Sequence, residues 1–585
     1  MSENAPAATE KKLPKDEAAE KGMVNVQIDG HWIQVPKGTR VIEAAKMAQK
    51  EVPHYCYHPK LSSPGNCRMC LVQMGMPPRP TPGQDPEYND EGYQDIGWMP
   101  RPIIACANTV AENMGIRTTG ELVEKCREGV MEFLLINHPL DCPICDQAGM
   151  CKLQEFSVEH GRGESRFQED KIKKPKNVDI GKNIRLDDER CIMCSRCIRF
   201  MDEVADEPVL GFSQRGTHTT LTVHPGKRLD NNYSLNTADI CPVGALTEND
   251  FRFQMRVWFL KETKSIDLND GLGCNTVIWT RSNKIYRITP RRNDEVNSDW
   301  MPDSHRLNFK YLESDARLTE PMLKGEDGQH TGTTWTEAIE KVASSLKDVD
   351  GSKIGIIASG RLSNEELFLV KKIADKVGAT LSLVSRTGEA DGLLIPEDRN
   401  PNTTGAQTIW SVHNPAEKLA SIRDGVTSGK ITHLLAFGEN LLGEAGFSED
   451  QLEKLTFLAH SHILANPTAS KADVVLPGAG FAEKRATYVN ILGRAQRAYQ
   501  AVLPPGNARE EWETLAALLA ELDSDFSAPA SVDGVLKRLA SEVSVFEGLS
   551  FGKIGDEGVR IVENDVTIPL LEKERARKEK GIIVG

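Results

Sequence analysis

The sequence predicts a multidomain protein, α+β through its first half and α/β through its second. Three observations predict it: the length, the confinement of the cysteines, and a change of strand and helix pattern past residue 260. At 585 residues the chain exceeds what one hydrophobic core organises, and about 100–200 residues per domain gives roughly four domains. All 13 cysteines lie between Cys56 and Cys274, so the first half is built to hold something that the second is not. In the second half, KIGIIASGRLSNEELFLVKKIADKVGA reads as strand, loop and helix, and THLLAFGENLL as another buried strand. Such alternation builds parallel α/β layers.

Composition removes several functions. Apolar residues at 39% and charged residues at 27% are those of a soluble globular chain, and no apolar run reaches the roughly 18 residues of a membrane span. Membrane association is therefore expected only through partners. A net charge of −14 argues against a nucleic-acid surface, which needs clustered Lys and Arg facing phosphate. Residues 1–22, MSENAPAATEKKLPKDEAAEKG, lack the apolar core of a secretory signal and carry too many acids for a transit peptide. They read as a disordered tail. The thiols are then expected in a reducing compartment, where clustered cysteines bind metal more often than they form disulfides.

From Val24 to Val35, VNVQIDGHWIQV alternates apolar and polar residues around Asp29-Gly30, a hairpin signal. Thr39 is placed to cap a helix whose apolar positions Val41, Ile42, Ala45 and Ala48 follow a 3.6 period. Strand, strand, helix and then a cysteine loop is the order of a plant-type ferredoxin domain of the β-grasp kind. The loop VPHYCYHPKLSSPGNCRMCLVQM supplies Cys56, Cys67 and Cys70, with Cys106 in IIACANTV as the expected fourth thiolate. Four thiolates suit a [2Fe–2S] cluster, and Gly65 lets the backbone come close. A C-x2-C pair by itself also serves zinc. Residues 75–102, Pro-rich and polar, read as a surface insertion that adds only modest closure cost before Cys106.

Between Gly120 and Asn137, Leu122, Val123, Cys126, Val130, Phe133 and Leu134 form a helical stripe. Cys126 on that stripe reads as a buried apolar residue. The helix runs into NHPLDCPICDQAGMCKLQ, where His138, Cys142, Cys145 and Cys151 are spaced H-x3-C-x2-C-x5-C. Three thiolates and an imidazole serve a [4Fe–4S] cluster or a structural zinc equally well on chemistry alone. The other histidines read as core or surface residues.

DERCIMCSRCIRF then gives Cys191, Cys194 and Cys197, and ADICPVGAL gives Cys241 before Pro242. C-x2-C-x2-C with a remote Cys-Pro is the ferredoxin pattern for [4Fe–4S], and a single set implies one cluster. Arg190, Arg196 and Arg199 beside these thiols read as charges that raise a potential, as contacts for a neighbouring subunit, or as solvated side chains, and exposed arginine is the commoner case.

These motifs carry a resemblance. H-Y-C-Y-H-P with G-N-C-R-M-C resembles the first cluster motif of the large iron–sulfur subunit of respiratory NADH:quinone oxidoreductase, shared with iron-only hydrogenases and NAD-linked formate dehydrogenases. H-P-L-D-C-P-x-C-D is similar to the His-ligated cluster segment of the same family, and that resemblance implies [4Fe–4S] rather than zinc at His138. GLGCNTVIWTRSNKIYRITPRRNDEVN resembles the N-terminal iron–sulfur domain of molybdopterin oxidoreductases with only Cys274 left, so no fourth cluster is expected and Cys274 reads as a core or surface thiol. TASKADVVLPGAGFAEKRATYVNILGRAQRA resembles a pterin-domain segment, yet no cysteine follows Cys274 to ligate molybdenum. A degenerate molybdopterin-oxidoreductase-like scaffold without molybdopterin is expected. GLGCNT and GAGFAE do not complete a dinucleotide fingerprint, so neither flavin nor NAD is expected to bind this chain.

The domains expected are a tail (1–22), a [2Fe–2S] ferredoxin-like domain (23–118), a His/Cys3 segment (119–160), a [4Fe–4S] ferredoxin-like domain (161–258), a cysteine-depleted domain (259–316), a degenerate α/β domain (317–545) and a charged tail (546–585). The resemblance implies an electron-wire subunit taking electrons from an NADH- and FMN-binding subunit with its small [2Fe–2S] partner. It implies delivery to connecting iron–sulfur subunits of a membrane arm, with the chain peripheral on the cytoplasmic face of a bacterial inner membrane. The alternatives are the iron–sulfur subunit of a soluble formate dehydrogenase or hydrogenase complex, and a scaffold of structural zinc sites.

Overall fold

The computed structural model describes residues 14–80 and 82–584. The chain divides into two compact units, Met1–Val257 with Glu574–Gly585, and Trp258–Lys573.

In the first unit five strands form a sheet in the order His31–Pro36, Met23–Ile28, Met114–Arg117, Leu71–Met76, Gly97–Ile104. Met23–Ile28 pairs antiparallel with His31–Pro36, and the turn sets Asp29 at φ 48° and Gly30 at φ 87°, the two left-handed residues of a type I′ turn. Asp29 is held there by Thr118, whose N–H (2.7 Å) and hydroxyl donate to its two carboxylate oxygens. Met23–Ile28 runs parallel to Met114–Arg117, which carries the chain past Cys106 back beside the first strand. Helix Val41–Met47 buries Val41, Ile42, Ala44 and Ala45 in one core with Val26, Ile28, Val72 and Ile116. Thr39 does not cap this helix. Its hydroxyl donates to the Pro36 carbonyl (2.7 Å), and Arg40 takes the cap position without a side-chain bond.

Residues 75–102 are in part sheet, because Leu71–Met76 and Gly97–Ile104 pair with each other. The intervening loop lies on the hairpin, where Tyr93 stacks on Trp32 with ring centroids 4.1 Å apart. Within segment 1–22, expected as a tail, Pro14–Glu20 is helical and buries Ala18; residues 1–13 fall outside the described residues. Helix Glu121–Leu135 buries Val123, Arg127 and Met131, not the stripe the apolar pattern indicates: Phe133 is 80% exposed and Cys126 only half-buried. The cause is Arg127, which turns inward to donate to the Leu71 carbonyl (3.3 Å); burial lowers its pKa to about 10.

Of the segment 546–585, expected as a charged tail, residues 546–573 belong to the second unit, where Phe546, Phe551 and Ile554 are buried, and 574–585 pack into the first. Glu574 pairs with Lys60 at 3.0 Å, both nearly inaccessible, Arg577 pairs with Glu203, and Arg40 donates to the carbonyls of Gly581 (3.2 Å) and Ile582 (2.9 Å). The charges that made the segment read as solvated are its docking contacts.

The second unit opens with an antiparallel sheet of Lys261–Ile266, Asn275–Arg281 and Lys284–Pro290. A seven-stranded sheet follows, ordered His330–Gly332, Met322–Lys324, Val474–Pro477, Phe457–His462, His433–Phe437, Ile354–Ser359, Thr380–Val384. Its last five strands are mutually parallel. Ile354–Ser359 is buried throughout because alternate side chains enter different cores: Ile354, Ile356 and Ala358 one, Ile357 the other. Capping boxes start helices Trp335–Leu346 (Thr334 with Glu337) and Asn364–Val377 (Ser363 with Glu366).

Candidate iron–sulfur sites

All twelve expected ligands lie in the first unit. In the first group Cys56, Cys70 and Cys106 are buried and Cys67 is half-buried. The Cys56 N–H points at Cys67 Sγ (3.5 Å); the Cys56 thiol meets those of Cys67 and Cys106, and the Cys106 thiol meets that of Cys70. The Cys106 thiol, held down by Cys56 but pushed up by Cys70 and by burial, stands at about 11. The loop between Cys67 and Cys70 curls through Arg68 at φ 63°.

In the second group Cys142 is exposed while Cys145 and Cys151 are buried. Burial, with the charges of Cys145 and Cys142 added, pushes the Cys151 thiol to about 11. A Cβ on Gly244 would stand 2.2 Å from Cys145 Sγ, so glycine is what lets the remote Cys-Pro loop close over this thiol. His138 is half-buried. Burial, then Arg190 and Lys171, hold its pKa at about 4, leaving it neutral as a metal-ligating imidazole must be. His138 shares a cavity with Cys191 and Met193 of the third group.

In the third group Cys194, Cys197 and Cys241 are buried and Cys191 half-buried. Burial and then the charges of Cys194, Cys191 and Cys241 push the Cys197 thiol up. Met193 (φ 55°) and Ser195 (φ 60°) turn left-handed on either side of Cys194, which wraps the loop inward. One feature recurs across the groups: the N–H two residues on donates toward the cysteine sulfur, Met69 to Cys67, Gln147 to Cys145, Leu153 to Cys151, Met193 to Cys191, Arg196 to Cys194 and Val243 to Cys241. Hydrogen bonds of this kind favour the thiolate over the thiol. Burial works against them and pushes the Cys145, Cys151, Cys191, Cys194 and Cys241 thiols up, and a metal bound by such thiols would displace their protons.

The arginines are not solvated as their sequence setting suggests. Arg190 is 4% exposed, paired with Asp187 (3.0 Å) and Asp141 (3.1 Å), and it donates to the Gly244 carbonyl (3.4 Å). Arg196 donates to the carbonyls of Tyr57 and Ile240 (3.1 Å), and Arg199 to those of Cys56, Ser62 and Cys194 (3.4 Å). One helix, Arg196–Glu203, thus ties the first cysteine loop to the third. Asn66 adds a bond to the Met193 carbonyl (3.2 Å), and the Lys152 N–H reaches Pro242 (3.1 Å), tying the second group to the third. Tyr55, buried against Phe156 and Met131, feels the charges of both Cys151 and Cys67. Sequence reasoning missed these linkers; the i, i+3 spacing of Arg196 and Arg199, one face of a helix, was the available signal. Cys274 is buried in the second unit.

Family models match successive stretches of the chain from residue 21 to residue 521. A 2Fe-2S iron-sulfur cluster binding domain matches residues 21–121, the NADH-ubiquinone oxidoreductase-G iron-sulfur binding region 127–166, and the NADH-quinone oxidoreductase subunit 3 ferredoxin-like domain 181–247. The NDSU1/NuoG-like 4Fe-4S domain matches 260–310 and molybdopterin oxidoreductase 317–394 and 411–521. With the cysteine groups, these define a multidomain iron–sulfur oxidoreductase subunit. The NADH-quinone oxidoreductase G subunit of Rickettsia conorii is 30% identical over 95% of this chain and 94% of its own, and that of Rickettsia felis 31% identical over 90% and 92%. The NADH-ubiquinone oxidoreductase 75 kDa subunit of Reclinomonas americana is 30% identical over 85% and 88%. The chain belongs to this G-type, or 75 kDa, family of NADH-quinone oxidoreductase subunits. Among solved structures, an NAD+-reducing [NiFe]-hydrogenase matches 40% of this chain and 91% of its own at 27% identity and TM-score 0.32. Acetylene hydratase from Pelobacter acetylenicus matches 52% and 74% at 8% identity and TM-score 0.40.

Proposed function

We propose that the chain is the electron-wire subunit of an NADH:quinone oxidoreductase, holding a [2Fe–2S] cluster on Cys56, Cys67, Cys70 and Cys106. Two [4Fe–4S] clusters are held by His138, Cys142, Cys145 and Cys151, and by Cys191, Cys194, Cys197 and Cys241. The buried thiols, the inward N–H groups and the close approach at Gly244 fit such groups. An iron–sulfur cluster, when bound, takes up and gives back one electron with little ligand motion. The chain's own residues set its terms: Arg190, Arg196 and Arg199 place positive charge beside the ligands, and burial excludes water.

The observation that carries the reading is the bridge made by Arg196 and Arg199. It holds the first and third cysteine loops in contact through backbone carbonyls of Cys56 and Cys194 themselves, as a relay requires. The second group is the outlet: Cys142 is exposed, and Leu140 (85%) and Ile144 (59%) stand out beside it, an apolar rim for a connecting iron–sulfur subunit. The NADH- and FMN-binding subunit with its small [2Fe–2S] partner supplies the electrons. Among the described residues no helix is long and apolar enough to cross a membrane, and the reading places the chain peripherally, on the cytoplasmic face. Molybdopterin forms no part of it. The crevice beyond the carboxyl ends of the parallel strands has a volume of about 320 Å³, the low end for one small ligand, and Lys484 and Glu511 line it without a thiol.

Purification of the native complex from membranes, with subunits identified by mass spectrometry, tests this. Recovery with an NADH-oxidising subunit and membrane subunits in a quinone-reducing complex is expected. Recovery in a soluble complex with a hydrogenase or formate dehydrogenase subunit would overturn the reading.

A further inference from the structure

The second unit carries a group of ligand atoms that the relay leaves unused. Asp267 and Asp270 follow strand Lys261–Ile266, and His305 lies on the short helix Asp303–Arg306. One ligand atom from each lies within 4.8 Å of the other two. Each carboxylate has one oxygen already fixed. Asp267 Oδ1 accepts from the N–H (3.2 Å) and the side-chain amide of Asn269; Asp270 Oδ1 accepts from the N–H groups of Leu272 (2.9 Å) and Gly273 (3.4 Å). The other two oxygens converge on His305 Nδ1, Asp267 Oδ2 at 2.7 Å and Asp270 Oδ2 at 3.7 Å. Asp270 is 0% exposed, and its Oδ2 is buried without a hydrogen-bond partner. A buried carboxylate oxygen that no hydrogen bond satisfies is costly for a fold to retain.

We propose that Asp267, Asp270 and His305 bind one divalent cation, with Zn2+ as the preferred ion. Two carboxylates balance the charge of the ion, which displaces to solvent the proton that His305 Nδ1 shares with Asp267 Oδ2. Bonds of about 2.1 Å to tetrahedral zinc set neighbouring ligand atoms about 3.4 Å apart, and the separations of 2.7 and 3.7 Å straddle that value. Asp267 Oδ2 would move out by about 0.7 Å and Asp270 Oδ2 in by about 0.3 Å to reach that spacing from His305 Nδ1, and the outer hydrogen bonds already orient both groups. Imidazole as a ligand disfavours Mg2+ and Ca2+, which prefer oxygen alone. Three protein ligands leave a fourth position open. The site lies within the stretch matched by a 4Fe-4S domain, but oxygen and nitrogen donors suit a single ion, not a cluster that needs thiolates. Cys274 sits beside it, its carbonyl accepting from the Asp267 N–H (2.8 Å). The ion would brace the loop Asp267–Cys274 against the helix Asp303–Arg306.

The test uses the full-length chain purified anaerobically, exposed to Zn2+, desalted, and analysed for zinc and iron together. Wild type is expected to retain about one zinc, and Asp270→Asn and His305→Gln less than about a tenth of that, with iron unchanged. Hydrogen exchange across residues 267–274 and 303–306 of chelator-dialysed wild type is expected to slow at least several-fold when Zn2+ is added. Zinc at background in wild type, or equal zinc in wild type and variants, overturns the proposal and leaves His305 an imidazolium shared by two carboxylates. Should the variants fail to accumulate, the wild-type exchange decides, and identical rates with and without Zn2+ overturn it.

Discussion

At the scale of single residues, the proposed ligation turns on the side chain at position 138 and on the cations facing the thiols. His138 is neutral where a thiolate would add a negative charge, so His138→Cys should keep iron but lower the potential of that site by ~100 mV, following the comparison of His- with Cys-ligated centres. A redox titration followed by electron paramagnetic resonance reads this; an unchanged or higher potential contradicts the charge argument. Arg199 contacts both the Cys56 and Cys194 carbonyls. Arg199→Gln should therefore shift two centres downward together, each by tens of millivolts on the order that a screened charge a few ångströms away imposes. A shift confined to one would show that the arginine does not bridge them. The proposed ligands were legible to different degrees. Cys191, Cys194, Cys197 and Cys241 announce themselves by spacing, whereas His138 needed a resemblance because Cys3His serves zinc equally well. The arginines were misread because arginine is usually exposed, and nothing local reveals that carbonyls of a distant loop await all their donors.

At the scale of elements, strands and caps followed from sequence where local chemistry sufficed. The Asp29-Gly30 hairpin and the capping boxes at Thr334 and Ser363 are such cases. Helix Glu121–Leu135 was legible as a helix but not in its buried face, since an inward arginine breaks the apolar pattern. The Asp267, Asp270 and His305 group has no sequence signature, its members joined only by the fold. The helix pair Asn364–Val377 and Glu511–Leu522 carries the most consequential buried charge. Lys484 Nζ lies 2.9 Å from Glu366 and 3.5 Å from Glu511, with all three side chains nearly inaccessible. Lys484→Met strands two carboxylates and should cost about 3–5 kcal/mol, read as faster hydrogen exchange in Asn364–Val377. Burial already raises Glu511 to about 7. A carboxyl whose folded pKa is raised loses stability as pH rises through that value, so the deficit should be larger at pH 8 than at pH 6. An equal deficit at both would assign the loss to packing.

At the scale of the whole molecule, the first unit gathers all twelve proposed ligands, and Glu574–Gly585 returns to it with Lys60 and Glu203 as anchors. The second unit is a doubly wound α/β scaffold without thiols beyond Cys274. Cysteine placement marks this division only approximately, since Cys274 falls beyond it; the docking of residues 574–585 was not legible, because charged residues read as solvated until their partners are known. The central claim is that twelve residues hold three iron–sulfur clusters and no other part of the chain holds one. Iron and acid-labile sulfide in the anaerobically purified chain, with Mössbauer spectroscopy to type the clusters, tests it most directly. Roughly ten of each per chain, one [2Fe–2S] and two [4Fe–4S], is the predicted result. About three zinc with little sulfide, or roughly four further iron atoms marking another cubane, would contradict it.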